Sequence, residues 1–207
     1  MAKLAILGAS GHGKVLADIA LLTGWTKIDF FDDRFPELNI LEQWYVVGNS
    51  EQLLQQVSNY DGVIVGIGNN KTRLEKQNQL ATLNAPLITL IHPRAVISHM
   101  SDIGIGSVVM ANAVINPFAK LGQACIINTS STVDHDCTLA DGVHISPGSH
   151  LAGSISIGVN SWIGIGSNII QLVNIGDNVV VGAGSTVIHS ISSFQKVVGS
   201  PAKPMSY

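Results

Sequence analysis

The sequence predicts an N-terminal Rossmann-like α/β half-domain followed by a three-sided parallel β-helix. Three observations carry the prediction. An apolar strand, a glycine-rich turn and a helical pattern open the 207-residue chain. An aliphatic residue stands at every sixth position from Ile97 to Val187. Charge almost vanishes over that same stretch, where Lys120 is the lone basic residue and the acids are five aspartates.

The first domain is read over residues 1–92. Lys3-Leu4-Ala5-Ile6-Leu7 forms a short apolar strand, and Lys14 to Leu22 carries a helical pattern. Between them runs Gly8-Ala9-Ser10-Gly11-His12-Gly13. A glycine turn that leads from a strand into a helix N-terminus offers backbone N–H groups to a phosphate. Its spacing, G-x-x-G-x-G, is not the dinucleotide fingerprint, which disfavours NAD. A purely structural turn is the other reading. Ser10, Gly11 and His12 are the candidate contacts, with His12 placed better for a nucleotide than for proton transfer. A strand from Lys27 to Phe31 ends in Asp32-Asp33, and one from Val63 to Ile67 ends in Gly68-Asn69-Asn70. A helix from Thr72 to Leu83 and a strand from Leu87 to Ile91 follow. Open α/β sheets bind ligands at such strand ends, which makes Gly68 a further candidate. Asp32 and Asp33 read either as acceptors for a ribose or uracil or as a solvated turn. The unit is too small for a whole dinucleotide fold.

The second domain is read over residues 93–191, with 192–207 as a C-terminal tail. All sixteen residues at the six-residue spacing are Ile, Leu or Val, types that make up roughly 30% of the chain. A chance run of that kind falls below about one in a million. Four residues after each aliphatic the side chain is small or apolar, as at Ser107, Ala113, Cys125 and Ser149. Gly, Asn or Asp often comes just after the aliphatic, and these residues are expected to turn the corners. Three hexads make an 18-residue triangular coil, and coils stack at about the inter-strand spacing of 4.8 Å. So bare a surface predicts prism faces buried against neighbouring subunits.

Composition narrows the function. A net charge of -3 and a pI near 6.1 supply no basic field for nucleic acid. Cys125 and Cys137 make neither a disulfide framework nor a metal cluster and fit a reducing cytoplasm. The opening apolar run breaks at glycines too soon for a signal peptide or a membrane span. The mean hydropathy of +0.34 therefore signals buried surface in a soluble, cytoplasmic protein without membrane insertion.

Among seven histidines, His135 stands apart. It follows the aliphatic Val133 by two positions, where a side chain should project outward, and Asp134 and Asp136 flank it. A carboxylate bonded to one ring nitrogen fixes the tautomer and raises basicity at the other. The prism histidines lack the spacing of a three-histidine zinc site, so no metal is expected. Cys125 and Cys137 fall at the inward small position and read as core rather than nucleophiles.

These motifs resemble a known family. The hexad array and the closing Val198-Gly199-Ser200-Pro201-Ala202-Lys203-Pro204 look like the hexapeptide-repeat acyltransferases, whose β-helix is left-handed and whose members are usually trimers with sites between prisms. The glycine loop, Phe31-Asp32-Asp33, Ile67-Gly68-Asn69-Asn70 and Asn128 through Cys137, in this order, resemble the sialic-acid O-acetyltransferase-like group. That group includes the UDP-4-amino-sugar N-acetyltransferases of bacterial glycan pathways. The resemblance implies acetyl-CoA as co-substrate, His135 as general base, and Asp136, where the family usually has Glu, as the acid that tunes it. It further implies that His144, on the next prism face, contacts acetyl-CoA with Gly153, Ile165 and Ala183, and that Asn128 touches the acceptor. The expected function is N-acetylation of the 4-amino group of a UDP-linked amino-dideoxy sugar by a homotrimer. O-acetylation of a sialic acid and a non-catalytic partner of a sugar synthase are the alternatives.

Overall fold

The computed structural model describes residues 2–205, which divide into two compact units after Ile91. No helix among the described residues is long and apolar enough to cross a membrane.

The first unit is built on β1 (Lys3–Leu7), α1 (Gly11–Leu22), β2 (Lys27–Phe31), β3 (Ile40–Leu41), β4 (Trp44–Gly48), α2 (Ser50–Gln55), β5 (Gly62–Val65) and α3 (Asn70–Thr82). The sheet order is β3-β4-β2-β1-β5, parallel except for the β3–β4 edge. Leu4 to Leu7 of β1 are all buried, as a central parallel strand covered on both faces requires. Helix α1 buries Leu16, Ala17, Ile19 and Ala20, and Phe30 and Phe31 of β2 are fully enclosed.

Helix α1 begins three residues before the expected Lys14. Gly13 lies in its first turn, where a Cβ would come within 2.2 Å of the Gly8 carbonyl oxygen. Gly8 itself has φ +117°, a conformation that only glycine adopts freely. These two glycines thus shape the turn, whereas a Cβ at Gly11 would meet nothing within 4 Å. The expected strand from Leu87 to Ile91 shortens to an isolated bridge at Leu87 and a two-residue strand at Leu90–Ile91.

The second unit is a left-handed parallel β-helix of two-residue strands. Its first sheet stacks strands from Val96–Ile97 to Thr186–Val187, and its second from Asp102–Ile103 to Asn174–Ile175. The third runs from Val108–Val109 through His144–Ile145, Trp162–Ile163 and Val180–Val181 to Lys196–Val198. Up to Val187 strands pair in register with those 18 residues on, as Ile115 with Val133 and Val133 with Leu151, and only the last step shortens, Val181 pairing with Val197. The aliphatics thereby form a continuous axial core. The end of the chain completes the third sheet, where Lys203–Pro204 pairs antiparallel with Lys196–Val198.

The corners are not where the sequence pattern put them. Left-handed φ values fall three residues after the aliphatic, at Asn112, Phe118, Ala124, Ser130, Asp136, Gly142, Gly148 and onward. The glycines directly after the aliphatic serve close approach instead. A Cβ on Gly104 would lie 2.4 Å from the Gly122 backbone of the next coil, and one on Gly164 would lie 2.5 Å from the Val181 carbonyl oxygen.

The inward small position also has a polar task. The Ser107 hydroxyl donates to the Gly122 carbonyl (3.0 Å) and accepts from the Cys125 N–H (2.9 Å). Ser161 does the same with Gly176 (2.7 Å) and Val179 (2.9 Å). Cys125 and Cys137 occupy equivalent places, their thiols facing the carbonyls of Ala140 (3.3 Å) and Ala152 (3.2 Å). Ser107→Ala would leave a buried N–H and carbonyl without that partner. It should cost about 1–3 kcal/mol, measured by denaturant unfolding.

Candidate active site

Three features of the two units concern function. The first is a cavity of about 230 Å³ at the carboxyl ends of β1, β2 and β5. It is lined by Leu7, Gly8, Ser10, Asp32, Asp33, Ser50, Ile67 and Gly68, so four of the sequence candidates meet there. Ser10 caps α1 with extended backbone but makes no capping bond through its side chain, which leaves its hydroxyl available at the helix N-terminus. Asp32 is already engaged. Its carboxylate accepts the Ala9 N–H (2.7 Å) and the Arg34 Nε (2.7 Å), and Arg34 Nη2 also donates to the Ala9 carbonyl (2.7 Å). Burial alone would raise the Asp32 carboxyl, but these hydrogen bonds and the guanidinium hold it below the usual carboxylate range. Asp33 accepts the Ser50 N–H (2.9 Å) and faces Lys76 at 3.5 Å.

His12 does not line this cavity. Its Nε2 is shielded from solvent without a hydrogen-bond partner. Burial, and then the charge of Arg73, lowers its pKa to about 4, so the ring is neutral at physiological pH. Arg73 is itself buried and donates to the carbonyls of Ile67 (3.1 Å) and Gly68 (3.1 Å), fixing the turn after β5.

The second feature is His135, at the edge between the first and second sheets of the β-helix. Its Nδ1 lies 2.7 Å from Asp136 Oδ2, and both side chains are more than half exposed. The two aspartates have separate tasks. Asp134 accepts the His135 backbone N–H (2.7 Å) and the Asn116 amide (2.7 Å), fixing the main chain under the ring. Asp136 bonds the ring itself, and that hydrogen bond foremost raises the His135 pKa above 6.5. Asp136 can do so because it occupies the corner, with φ +59°. Asp tolerates that conformation better than most residues.

The third feature is an apolar cavity of about 380 Å³ on the third sheet, bordered by the edge that leads into the first sheet. His144, Ile165 and Ala183 line it together, with Trp162, Val180 and Pro147. The His144 ring stacks on Trp162, with centroids 5.8 Å apart and planes at 5°. Trp162 Nε1 donates to the Ser146 hydroxyl (2.7 Å). Asn128 Nδ2 lies 3.1 Å from His144 Nε2, so these two candidates are neighbours. His144 is on the third sheet rather than the next face after His135, because Thr138–Leu139 of the second sheet intervenes. Gly153 does not line this cavity and stands instead against the His135 ring. Among the described residues, no group of three or more His, Cys, Asp or Glu is arranged to hold a metal.

Comparison with known proteins follows the same division. Residues 3–80 match the PglD N-terminal domain. Over the whole chain, the acetyltransferase domain of PglB from Neisseria gonorrhoeae FA1090, solved with acetyl coenzyme A, is 41% identical. It superposes with a TM-score of 0.94 and 98% of each chain covered. The chain belongs to the amino-sugar N-acetyltransferase group of the hexapeptide-repeat acyltransferases. Another solved relative of this acetyltransferase group is a variant of GDP-perosamine N-acetyl transferase from Caulobacter crescentus, in complex with CoA and GDP-perosamine. It is 31% identical, with a TM-score of 0.94, over 100% of this chain and 98% of that one. UDP-N-acetylbacillosamine N-acetyltransferase of Bacillus subtilis (strain 168) is 35% identical over 117 residues. That match covers 54% of this chain and 52% of the relative, so the chain spans about half the length of the curated relative it matches.

Several residues of these three features escape a reading of the sequence. Asn116 supports Asp134 from one coil below, a relation visible only once the 18-residue register is applied. Arg34 and Ser50 lack any motif of their own, although Asn49 and Gln52 form a capping box that announces α2 and hence Ser50. A proton NMR titration of the His135 ring should give a midpoint above 6.5. Asp136→Asn, which removes the charged acceptor, should move it down.

Proposed function

We propose that the chain is an acetyl-CoA-dependent N-acetyltransferase acting on the 4-amino group of a UDP-linked amino-dideoxy sugar for bacterial surface glycans. The observation that carries this reading is the exposed His135 ring held at 2.7 Å by Asp136. With Nδ1 committed to the carboxylate, Nε2 is the nitrogen left to accept a proton. The neutral acceptor amine attacks the thioester carbonyl carbon while Nε2 takes the proton the nitrogen sheds. The C–S bond then breaks, and the imidazolium returns the proton to the departing thiolate. The products are an amide and free CoA, with no acetyl-enzyme between. Asp136 keeps the imidazolium stable during the step.

In this reading the cavity at the carboxyl ends of β1, β2 and β5 takes the nucleotide, with the Ser10 hydroxyl and the start of α1 facing phosphate. The groove of His144, Trp162, Ile165 and Ala183 takes acetyl-CoA, its apolar walls suiting the pantetheine arm. A GDP-linked acceptor is a second reading, favoured by the likeness to the perosamine enzyme solved with GDP-perosamine.

The test is release of CoA thiol across UDP- and GDP-linked amino sugars and free sialic acids. UDP-linked 4-amino sugars should be preferred, and His135→Ala should lose about 10² to 10⁴ in rate. Preference for a free sialic acid would overturn the acceptor assignment. The base must be neutral to act, so the rate should fall as pH drops through the raised His135 pKa.

A homotrimer belongs to the same proposal. His135 and the apolar groove lie on different edges of one prism, so a second copy is needed to bring them together. Met100, Phe118 and Leu172 are exposed along the edge that carries Asp136, at multiples of the coil repeat. Light scattering should give three chains per particle, and Leu172→Asp should dissociate them and abolish activity. An active monomer would refute the arrangement.

A further inference from the structure

Gly153 follows His135 by 18 residues, one full coil, so it occupies the same row at the next level. Pairing of Val133 with Leu151 sets that register, and the Ser154 N–H donates to the His135 carbonyl (2.9 Å) to hold the two levels together. A Cβ on Gly153 would lie 2.5 Å from Cε1, 2.6 Å from Nε2 and 3.2 Å from Cδ2 of His135. The three nearest atoms all belong to the imidazole. We infer that Gly153 is a positioning residue, the seat on which the His135 ring lies so that its Nδ1 reaches Asp136.

Gly153 is not among the residues with left-handed φ, so its backbone conformation does not demand glycine. Nor is it a close-approach glycine of the kind at Gly104 or Gly164, whose missing Cβ makes room for the main chain of the next coil. What a side chain here would meet first is the ring. A methyl group cannot share the space, and the ring, more than half exposed, can escape only by rotating away. Rotation moves Nδ1 off a bond of 2.7 Å and turns Nε2 from its set direction. The clash is tightest at Cε1 and Nε2, the side of the ring that carries the reactive nitrogen. The row also makes physical sense of the neighbours. Pro117, one coil below, supplies the carbonyl that accepts the Asp136 N–H (3.2 Å), so the acid is pinned from one level and the ring is seated from the other.

The inference rests on the proposed role of His135 as base, and the test separates the two. In Gly153→Ala the pKa of His135, followed by NMR, should fall back toward 6.5, because the Asp136 bond that raises it is lost. The kcat should drop on the order of 10²-fold, the scale of a misplaced reacting group, with KM for acetyl-CoA nearly unchanged. A double-mutant cycle on thermal stability supplies a readout without activity. Gly153→Ala should lower the Tm when His135 is present and should not when His135 is replaced by Ala. If Gly153→Ala alone fails to fold, recovery in the double variant supports the inference. Equal destabilisation in both backgrounds, an unmoved His135 pKa, or a rise in KM alone would overturn it. Full activity of His135→Ala would instead sink the base assignment and leave the pKa and stability comparisons standing.

Discussion

Through all but the last coil of the β-helix a position has a fixed neighbour eighteen residues away, because the two-residue strands pair in register with those one coil on. That constraint organises most of what the second unit does. It stacks the aliphatics into one axial column and sets Ser107 beneath Cys125 and Ser161 beneath Val179. The same step puts Asn116 under Asp134, His144 under Trp162 and His135 under Gly153. A functional side chain here is therefore supported along columns rather than by its sequence neighbours. Asp136 is the exception, and it reaches the adjacent ring only because the corner turns its side chain back.

The corner suits an aspartate at position 136. A residue at φ +59° is in a conformation that costs most L-residues about 1–2 kcal/mol, and a short polar side chain bears that cost best. From this position the carboxylate closes to 2.7 Å on Nδ1. Elsewhere on the same edge, the left-handed corners are held by Phe118 and Leu172, bulky residues without such local compensation.

The β-helix was legible because its signal is long and strictly periodic. The axial aliphatics, the inward serines and the outward direction of His135 all follow from a six-residue step. The corners were misread because two kinds of glycine look alike in a sequence. Those such as Gly104 clear space for backbone, whereas those such as Gly148 supply positive φ, and neighbours in space decide which is which. In the first unit, β1, α1, β2 and α3 were visible from apolar runs between turns. The segment from Ile40 to Gln55 was not, since β3 has two residues and α2 six, too short for any period to show. The cavity at the carboxyl ends of β1, β2 and β5 gathers four residues singled out from the sequence, Ser10, Asp32, Asp33 and Gly68, but the guanidinium that clamps Asp32 had no such signal. Arg34 meets Ala9 across 25 positions, a contact that no local pattern encodes.

The inward serines have one chemical corollary. Both cysteines of the chain stand at the same inward small position, Cys125 in the column of Ser107 and Cys137 in that of Ala119; neighbouring coils enclose them, and burial pushes the Cys137 thiol up. Thiols so enclosed are poor partners for disulfide exchange. A protein whose proposed reaction liberates a free mercaptan thus carries no surface sulfhydryl with which that product could form a mixed disulfide.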